Sequence, residues 1–410
     1  MRILITDIKH LVQIREKQTK PVCGNAMQRV PMLQHAWLLL ENDLIHSYGL
    51  MTEEIPVADE SYSASGRLVL PAFCDSHTHL LWTGNRSGEF VDRINGLSYE
   101  AIAANGGGIL NSAKKLNNTS EEVLLESAWE RTQQIINTGT GAVEIKSGYG
   151  LSFDGEMKML RVIKKLKETS PLTIKATFLG AHAYPVEFKN NHAGYLKLII
   201  GKMLPAIADE GLADFIDVFC DRGFFSPDET AQILDAGARY GLRPKIHANE
   251  LGLTGGVQTA VAHQALSVDH LEYCGEDEIH VLKQADTIPT LLPGTSFFLN
   301  LPYAPARNLL DAGLPIALAS DFNPGSTPSG NVPLMMAIAC LKMHLMPEEV
   351  INATTLNGAY AMDVVTELGS ISKGNKANLI ITEKMQDIRD IPYAYGSNPV
   401  YRMMLNGEWV

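Results

Sequence analysis

Cysteine is scarce in this sequence, and the few cysteines form no pairing pattern. Only five occur among 410 residues, the number is odd, and no two are spaced as Cys-x-x-Cys. Secreted disulfide scaffolds and cysteine-based zinc ribbons carry regular, closely spaced cysteines. The sparse set argues against both classes and predicts a reducing, cytoplasmic setting.

Long apolar runs and an excess of basic residues are also lacking. No stretch reaches the roughly 18 apolar residues that a membrane span needs, and the amino terminus meets charge too early for a signal peptide. Lysine and arginine number 34 against 46 acidic residues, which gives a formal net charge of -12. Because a nucleic-acid surface needs clustered basic side chains, we expect neither a membrane nor a nucleic-acid partner.

The central part of the chain alternates short apolar strands with longer helical stretches, as βα units do. Eight strand candidates lie at residues 68–75, 142–146, 174–179, 215–219, 243–247, 266–270, 287–292 and 316–319. Eight such units in about 300 residues predict an α/β fold, a distorted TIM (β/α)8 barrel. A doubly wound open sheet is the weaker alternative, because no glycine-rich dinucleotide fingerprint follows the first strand.

Both ends of the chain have the character of short strands and turns. Neither end holds enough apolar residues for a core of its own. We therefore expect the two ends to pair into one small β-sandwich module beside the barrel. The predicted boundaries place residues 1–67 and 369–410 in that module and residues 68–368 in the barrel.

Histidines concentrate at the carboxyl ends of the predicted strands, where TIM barrels carry their active sites. The first strand ends in His-Thr-His, and residues two apart on a strand share a face. Five of the twelve histidines follow strands in this way: His77, His79, His182, His247 and His270. A single histidine of this kind is more often an ordinary polar residue, but five together favour a shared site.

Three imidazoles and one carboxylate suit Zn²⁺ well and Fe²⁺ or Mn²⁺ acceptably. The candidate ligands are His77, His79, His247 and Asp321. Asp321 follows the eighth predicted strand and, judged alone, is as readily a structural cap. A metal held in this way would activate water for hydrolysis.

Glu250 lies three residues after His247, on the loop that would follow the fifth strand. A carboxylate there could take a proton from water and return it to a leaving nitrogen. The alternative is a solvated loop glutamate. His182 and His270 would either support the metal ligands or face the substrate. His270 could hold the hydroxide or stabilise developing oxyanion charge.

With these motifs assembled, the sequence resembles the amidohydrolase superfamily and, within it, the imidazolonepropionase family. The matching segments are residues 75–79, 84–86, 95–99, 106–109, 144–151, 177–183, 217–220 and 321–326. The resemblance covers residues 68 to 410 and extends more loosely over residues 1–67. One departure stands beside the proposed site, since Asn249 occupies a position where the family usually has aspartate.

The resemblance implies hydrolysis of the cyclic amide of 4-imidazolone-5-propanoate to N-formimidoyl-L-glutamate, a step of histidine degradation. It implies one divalent metal per subunit, zinc or iron, on the four ligands given above. It assigns catalysis to Glu250, His270, His182 and Asp321, and a homodimer is common in the family. Substrate contacts fall on Arg86, Tyr99, Tyr149, His182, Glu250, Asn323, Gly325 and Ser326.

The chemistry of these residue types agrees with a carboxylated substrate. Arg86 can bind a carboxylate through two parallel hydrogen bonds, and tyrosine offers both a hydroxyl and a flat apolar ring. The competing interpretation pairs Arg86 with a neighbour such as Glu89 and packs Tyr99 and Tyr149 at the barrel rim. Members of the superfamily that bind two metals often bridge them with a lysine at the end of the fourth strand. No lysine stands there in this sequence, so the resemblance implies one metal, and Cys220 remains a less favoured ligand.

Two other functions remain open on the sequence. A related amidohydrolase or deaminase could act on another carboxylated heterocycle, and turnover of guanine against the imidazolone would separate these. A catalytically inactive metal-binding scaffold is the alternative from another class. The complete ligand set and Glu250 argue against it.

Overall fold

The computed structural model describes residues 1–97 and 107–410. Tyr99, one of the predicted substrate contacts, lies outside the described residues. No helix in the described ranges is long and apolar enough to cross a membrane.

Sixteen strands occur in the described ranges and form two separate sheets. In chain order they are β1 Arg2–Val12, β2 Met32–Glu41, β3 Leu44–Leu50, β4 Glu60–Ser63, β5 Arg67–Pro71, β6 Phe73–Thr78, β7 Thr140–Lys146, β8 Thr173–Ala181, β9 Phe215–Cys220, β10 Arg243–Ala248, β11 Ser267–His270, β12 Ile288–Leu291, β13 Ala317–Leu318, β14 Leu379–Lys384, β15 Val400–Leu405 and β16 Glu408–Trp409.

Helices connect most of the barrel strands. The described α-helices are Ser87–Ile94, Gly108–Asn117, Glu121–Asn137, Phe153–Thr169, His192–Leu198, Leu204–Glu210, Pro227–Ala238, Gly256–Ala262, Glu276–Leu282, Pro293–Leu299, Ala306–Asp311, Val332–Met343, Pro347–Thr354, Leu356–Ala361 and Asp390–Tyr393. Gly24–Gln28 and Val186–Phe188 are 3₁₀-helices, and Ile199–Met203 is a π-helical turn.

Strands β6 to β13 lie side by side in chain order, and all of their pairings are parallel. The first and last strands of this sheet, β6 and β13, come together at their carboxyl ends. Thr78, the last residue of β6, forms a parallel bridge with Phe322, which follows β13. The backbone N–H of Asp321 donates to the carbonyl of His77 at 3.0 Å. The sheet is therefore a nearly closed eight-stranded barrel, and the predicted barrel is confirmed.

The second sheet combines both ends of the chain in the order β16-β15-β14-β5-β1-β2-β3, with β4 paired to β1. Its own apolar cluster includes Ile5, Leu38 and Ile381, which are fully buried. The amino-terminal and carboxyl-terminal strands meet where β5 pairs antiparallel with β14. This arrangement confirms the separate β module built from both termini.

One strand prediction was wrong in detail. Residues 68–75 are not one strand: the chain changes sheets at Ala72, so that β5 joins the terminal sheet and β6 begins the barrel. The domain boundaries at residues 67 and 368 stay predictions.

Local sequence explains where several elements begin and how deeply they lie. Ser226 starts the helix Pro227–Ala238 with a capping box, in which the Ser226 hydroxyl accepts the backbone N–H of Glu229 and the Glu229 carboxylate accepts the backbone N–H of Ser226. Strand β7 is buried at all seven positions, because parallel barrel strands are covered on both faces. Its Glu144 and Lys146 are nevertheless charged, an exception that bears on the site.

Candidate active site

Three histidines converge at the carboxyl ends of the barrel strands. His77 belongs to β6, His79 follows it, and His247 belongs to β10. One ring nitrogen from each lies within 4.8 Å of the others, and all three side chains are buried. Since strand alternation turns His77 and His79 to one face, the His-x-His spacing and the barrel together produce this convergence.

Asp321 follows β13, which lies next to β6 in the nearly closed barrel, and it completes the cluster. Its Oδ1 lies 3.6 Å from Nε2 of His77 and 3.6 Å from Nε2 of His79. Thr295 donates to the other carboxylate oxygen at 2.6 Å and Ser326 donates to it at 3.0 Å. Asp321 has a φ of 51°, a left-handed conformation that aspartate tolerates better than most residues.

Buried carboxylates orient two of these histidines. Oδ2 of Asp269 lies 2.6 Å from Nδ1 of His77, and Oδ2 of Asp217 lies 2.9 Å from Nδ1 of His247. A carboxylate on Nδ1 fixes the ring and leaves Nε2 as the nitrogen with a free lone pair, a common arrangement for metal-binding histidines.

Burial also favours the neutral form of the two His-x-His rings. It lowers the pKa of His77 and the pKa of His79 well below the ordinary value for imidazole, with neighbouring positive groups acting in the same direction. Neutral imidazole is the form that binds a metal ion.

The donor set therefore fits a divalent metal ion. Nε2 of His77 is buried without a hydrogen-bond partner in the described ranges, and it faces the other ring nitrogens and Asp321. An unpartnered buried acceptor of this kind is costly unless a ligand satisfies it. Cys220 is a buried free thiol, and burial raises the pKa of that thiol, which disfavours the thiolate form that binds a metal.

Glu250 lies on the loop after β10, with its side chain largely buried at the same cleft. The Asp221 carboxylate accepts the backbone N–H of Glu250 at 2.7 Å and that of Leu251 at 3.0 Å, which holds the loop in place. Burial raises the pKa of Glu250 to about 7. A carboxyl group that exchanges protons near neutral pH is suited to general acid–base work.

His270 stands between two acidic side chains. Its Nε2 lies 3.7 Å from Oε2 of Glu250, and its Nδ1 lies 3.5 Å from Oε1 of Glu272. Burial opposes the charged ring, but the two carboxylates outweigh it and raise the pKa of His270 to about 10. The backbone φ of 86° at His270 is unusual for a residue with a side chain, as is common at functional sites.

His182 and Tyr149 form one wall of the cleft. The His182 ring stacks on His79 with centroids 5.0 Å apart, and the Tyr149 ring lies 5.6 Å from that of His182. Nδ1 of His182 lies 3.1 Å from the carbonyl of Gly148. Burial lowers the pKa of His182 to about 3, so the ring is neutral and can act as a hydrogen-bond donor or acceptor.

Arg86 lies at the mouth of the cleft and contacts Glu89, with Nε 2.8 Å from Oε2 of that carboxylate. The contact between Arg86 and Glu89 that the competing interpretation predicted is therefore present. Arg93 lines the same cleft and donates to the carbonyl of Gly325 at 2.9 Å. A Cβ atom at Gly325 would collide with the Arg86 guanidinium, so glycine permits this close approach.

The segment after Asp321 is held by one amide side chain. Oδ1 of Asn323 accepts the backbone N–H groups of Gly325 at 2.7 Å and Ser326 at 2.8 Å, while its Nδ2 donates to the carbonyl of Asp321. Asn323 thus fixes a tight turn beside the cluster, in the manner of an Asx turn.

One cleft collects most of the predicted site residues in the described ranges. Its lining includes His79, Arg86, Tyr149, His182, His247, Glu250, His270, Asp321, Asn323, Gly325 and Ser326. His77 lies fully buried behind them. Asn249, the departure from the family pattern, is fully buried with a φ of 60° and does not line the cleft.

Sequence reasoning missed the residues that support this cleft. They are Arg93, Glu144, Lys146, Glu156, Asp217, Asp221, Lys245, Asp269 and Thr295. Charged residues inside otherwise apolar strands were the available signal for five of them, because a barrel strand buries both of its faces. Glu156 and Asp221 act through loop backbone, which no spacing rule predicts.

The comparisons with known proteins agree with this geometry. Residues 68–410 match the family model described as "Amidohydrolase family". An imidazolonepropionase from Flavobacterium johnsoniae is 55% identical over 410 residues and covers 100% of both chains. An imidazolonepropionase from Christiangramia forsetii is 52% identical over 411 residues, again with 100% of both chains covered. The chain belongs to the imidazolonepropionase family.

Solved structures support the fold of this imidazolonepropionase-family chain and nothing finer. A triazine hydrolase variant superimposes with a TM-score of 0.76 at 15% identity and covers 100% of this chain and 94% of that one. E. coli guanine deaminase gives a TM-score of 0.76 at 12% identity, covering 100% and 99%. Because both identities are below 25%, these similarities support the overall fold alone, and the residue roles rest on the geometry of the site.

Proposed function

We propose that this chain hydrolyses the cyclic amide of 4-imidazolone-5-propanoate and forms N-formimidoyl-L-glutamate. The main support for this proposal is 55% identity over the full length to a relative named imidazolonepropionase. A cleft lined by His79, His247, Glu250 and two arginines supports it, with His77 completing the group of three histidines behind the lining. The same cleft suits a small ring that bears a carboxylate.

The proposed ligands of one divalent metal, zinc or iron, are His77, His79, His247 and Asp321. Nitrogen donors with one carboxylate suit either ion. When bound, the metal would supply Lewis acidity at the scissile amide and activate water.

Glu250 is the proposed proton carrier. Its carboxylate removes a proton from the attacking water and then delivers it to the ring nitrogen that leaves. Its raised pKa suits both steps, because the group must gain and lose one proton in each turnover. The backbone contacts from Asp221 hold the Glu250 loop against the cleft.

Two imidazoles flank the proposed reaction centre, that of His270 and that of His182. His270, beside Glu250, is a hydrogen-bond donor to the oxygen that gains negative charge when the amide carbonyl is attacked. His182, neutral and stacked on His79, is the other candidate for that contact or for a ring nitrogen.

The propanoate group is proposed to bind at the mouth of the cleft. The Arg86 guanidinium can bind a carboxylate through two hydrogen bonds. If Arg86 exchanges its contact with Glu89 for one with the substrate carboxylate, the guanidinium charge stays paired. Tyr149, Asn323, Gly325 and Ser326 line the adjoining wall. Tyr99 stays a predicted contact from the sequence.

The direct test is turnover of synthetic 4-imidazolone-5-propanoate, followed by its ultraviolet absorbance and by mass identification of the product. We expect N-formimidoyl-L-glutamate, and no deamination of guanine under the same conditions. No turnover of the imidazolone by metal-replete protein would overturn the proposal. A homodimer and a cytoplasmic location stay predictions.

A further inference from the structure

Five charged side chains occupy the interior of the barrel next to the three histidines. This interior charge cluster consists of Glu144, Lys146, Asp217, Lys245 and Asp269, each fully or almost fully buried. Barrel interiors are normally filled by branched apolar side chains, and buried charges are costly unless they are paired. The cluster therefore needs an explanation.

Lys146 is the centre of the cluster. Its Nζ lies 2.8 Å from Oδ2 of Asp217, 3.6 Å from Oδ2 of Asp269 and 2.5 Å from Oε1 of Glu144. One ammonium group on β7 thus contacts carboxylates from three strands, β7, β9 and β11.

Two of those carboxylates are the ones that hold histidines. Asp217 contacts Nδ1 of His247 at 2.9 Å, and Asp269 contacts Nδ1 of His77 at 2.6 Å. A chain of contacts therefore runs from His77 through Asp269, Lys146 and Asp217 to His247. These two rings come from different strands, and Lys146 is the group that links their supports.

Lys245 anchors the opposite side of the cluster. Its ammonium contacts Glu144 and donates to the carbonyl of Ser76 at 2.9 Å, one residue before His77. Glu144 accepts from both lysines, so the two ammonium groups share one carboxylate. The cluster is tied to the strand that carries the His-x-His motif.

We propose that Lys146 is a positioning residue that orients His77 and His247 together through Asp269 and Asp217. This inference rests on the metal site of the proposed function and concerns what builds that site. Lys146 touches neither substrate nor a proposed ligand, and its role is to hold two carboxylates at the distances that keep both Nε2 atoms turned inward. The residues that support metal ligands typically change metal affinity by 10–100-fold when they are altered.

The test measures zinc affinity by competition with a chromophoric chelator, together with the rise in Tm on adding zinc. We expect Lys146→Met to weaken zinc binding by about 10–100-fold and to shrink the zinc-induced rise in Tm. We also expect Asp217→Asn and Asp269→Asn each to weaken binding in the wild-type chain, with smaller effects when Lys146→Met is already present.

Ser267→Ala is the milder second variant in case Lys146→Met does not fold. Ser267 donates to the other oxygen of Asp269 at 2.5 Å, so its loss loosens the support of His77 without removing a charge. We expect a severalfold loss of zinc affinity with the fold retained. Zinc affinity equal to wild type in a folded Lys146→Met protein would overturn the inference. If Lys146→Met does not fold, wild-type zinc affinity in Ser267→Ala would overturn it.

Glu349→Gln is the matched control. Glu349 is a buried carboxylate that pairs with Arg307 at 2.6 Å on the helix Pro347–Thr354. Its substitution should lower the Tm of the metal-free protein and leave zinc affinity unchanged. A loss of zinc affinity equal to that of Lys146→Met would show a general effect of buried charge and contradict positioning. No zinc binding by the wild-type chain would overturn the proposed metal site itself.

Discussion

Oδ2 of Asp269 lies 2.6 Å from Nδ1 of His77, and both side chains are fully buried. The contact commits one ring nitrogen of His77 to the protein and leaves Nε2 facing His79 and Asp321. A buried nitrogen that points at other ligand atoms and has no partner in the described part of the chain is the clearest sign of a metal centre here.

Removal of one proposed ligand should empty the proposed metal site. We expect His79→Ala to lose most of its bound metal after dialysis, because three remaining ligands hold zinc far less tightly than four. Metal content by inductively coupled plasma mass spectrometry checks this. His263→Ala is the control, since His263 pairs with Asp235 near the surface and should leave metal content unchanged.

Loss of the proposed proton carrier, Glu250, should affect turnover and leave substrate binding intact. We expect Glu250→Gln to lower kcat by about 10²–10⁴-fold, with KM and metal content close to wild type. Steady-state kinetics with the imidazolone measures both constants. Full activity of this variant would remove Glu250 from the mechanism.

The raised pKa of Glu250 predicts an acid limb in the rate profile. Burial raises the pKa of Glu250 to about 7, and a protonated carboxyl cannot accept a proton from water. A bound divalent cation lowers that pKa, so we expect kcat to fall with decreasing pH at or below about pH 7. The residual activity of Glu250→Gln should lack this limb, and an identical limb in the variant would assign the titration to another group.

The arginine at the cleft mouth should govern substrate affinity. We expect Arg86→Met to raise KM by about 10–100-fold, because a hydrogen bond to a charged group is worth about 1.5–3 kcal/mol. Arg86→Lys should recover only part of that loss, since lysine lacks the bidentate fork. A change confined to kcat would contradict a binding role.

Arg93→Met provides a comparison at the same cleft. Arg93 donates to the Gly325 carbonyl, so its loss loosens the segment that carries Asn323 and Ser326. We expect a smaller rise in KM than in Arg86→Met, measured in the same assay. An effect equal to that of Arg86→Met would mean that both guanidinium groups contact the substrate.

Glu156 should stabilise the loop that carries Tyr149. Its carboxylate accepts the backbone N–H groups of Gly148, Gly150 and Leu151 at 3.0, 2.8 and 2.9 Å. Glu156→Gln replaces one acceptor oxygen by a donor, and we expect the free energy of unfolding to fall by about 1–3 kcal/mol. Denaturant unfolding of the metal-free protein measures this, and an unchanged midpoint would contradict it.

The sequence predicted the barrel because its signal is local and repeated. Each strand-and-helix unit carries its own apolar pattern, and the histidines mark the strand ends. The point at which a strand changes sheets gives no such signal. Residues 68–75 form one apolar run in the sequence, and only the pairing of β5 with β14 shows that the run divides at Ala72.

The sequence predicted the cleft residues that directly follow a strand, but not the residues whose contacts depend on packing inside the barrel. His247 and Asp321 are 74 positions apart in the chain, and strand order alone brings them to one end of the barrel. Lys146 and Asp217 could not be paired from the sequence, because their contact depends on which interior faces meet across β7, β8 and β9.

The central claim is a hydrolase that needs one metal ion per chain. Its most direct test is titration of metal-stripped protein with zinc or ferrous iron while the turnover of 4-imidazolone-5-propanoate is followed. We predict no turnover without metal and a linear recovery that ends at one equivalent per chain. Full turnover by the metal-stripped protein, or recovery that continues to two equivalents, would contradict the account.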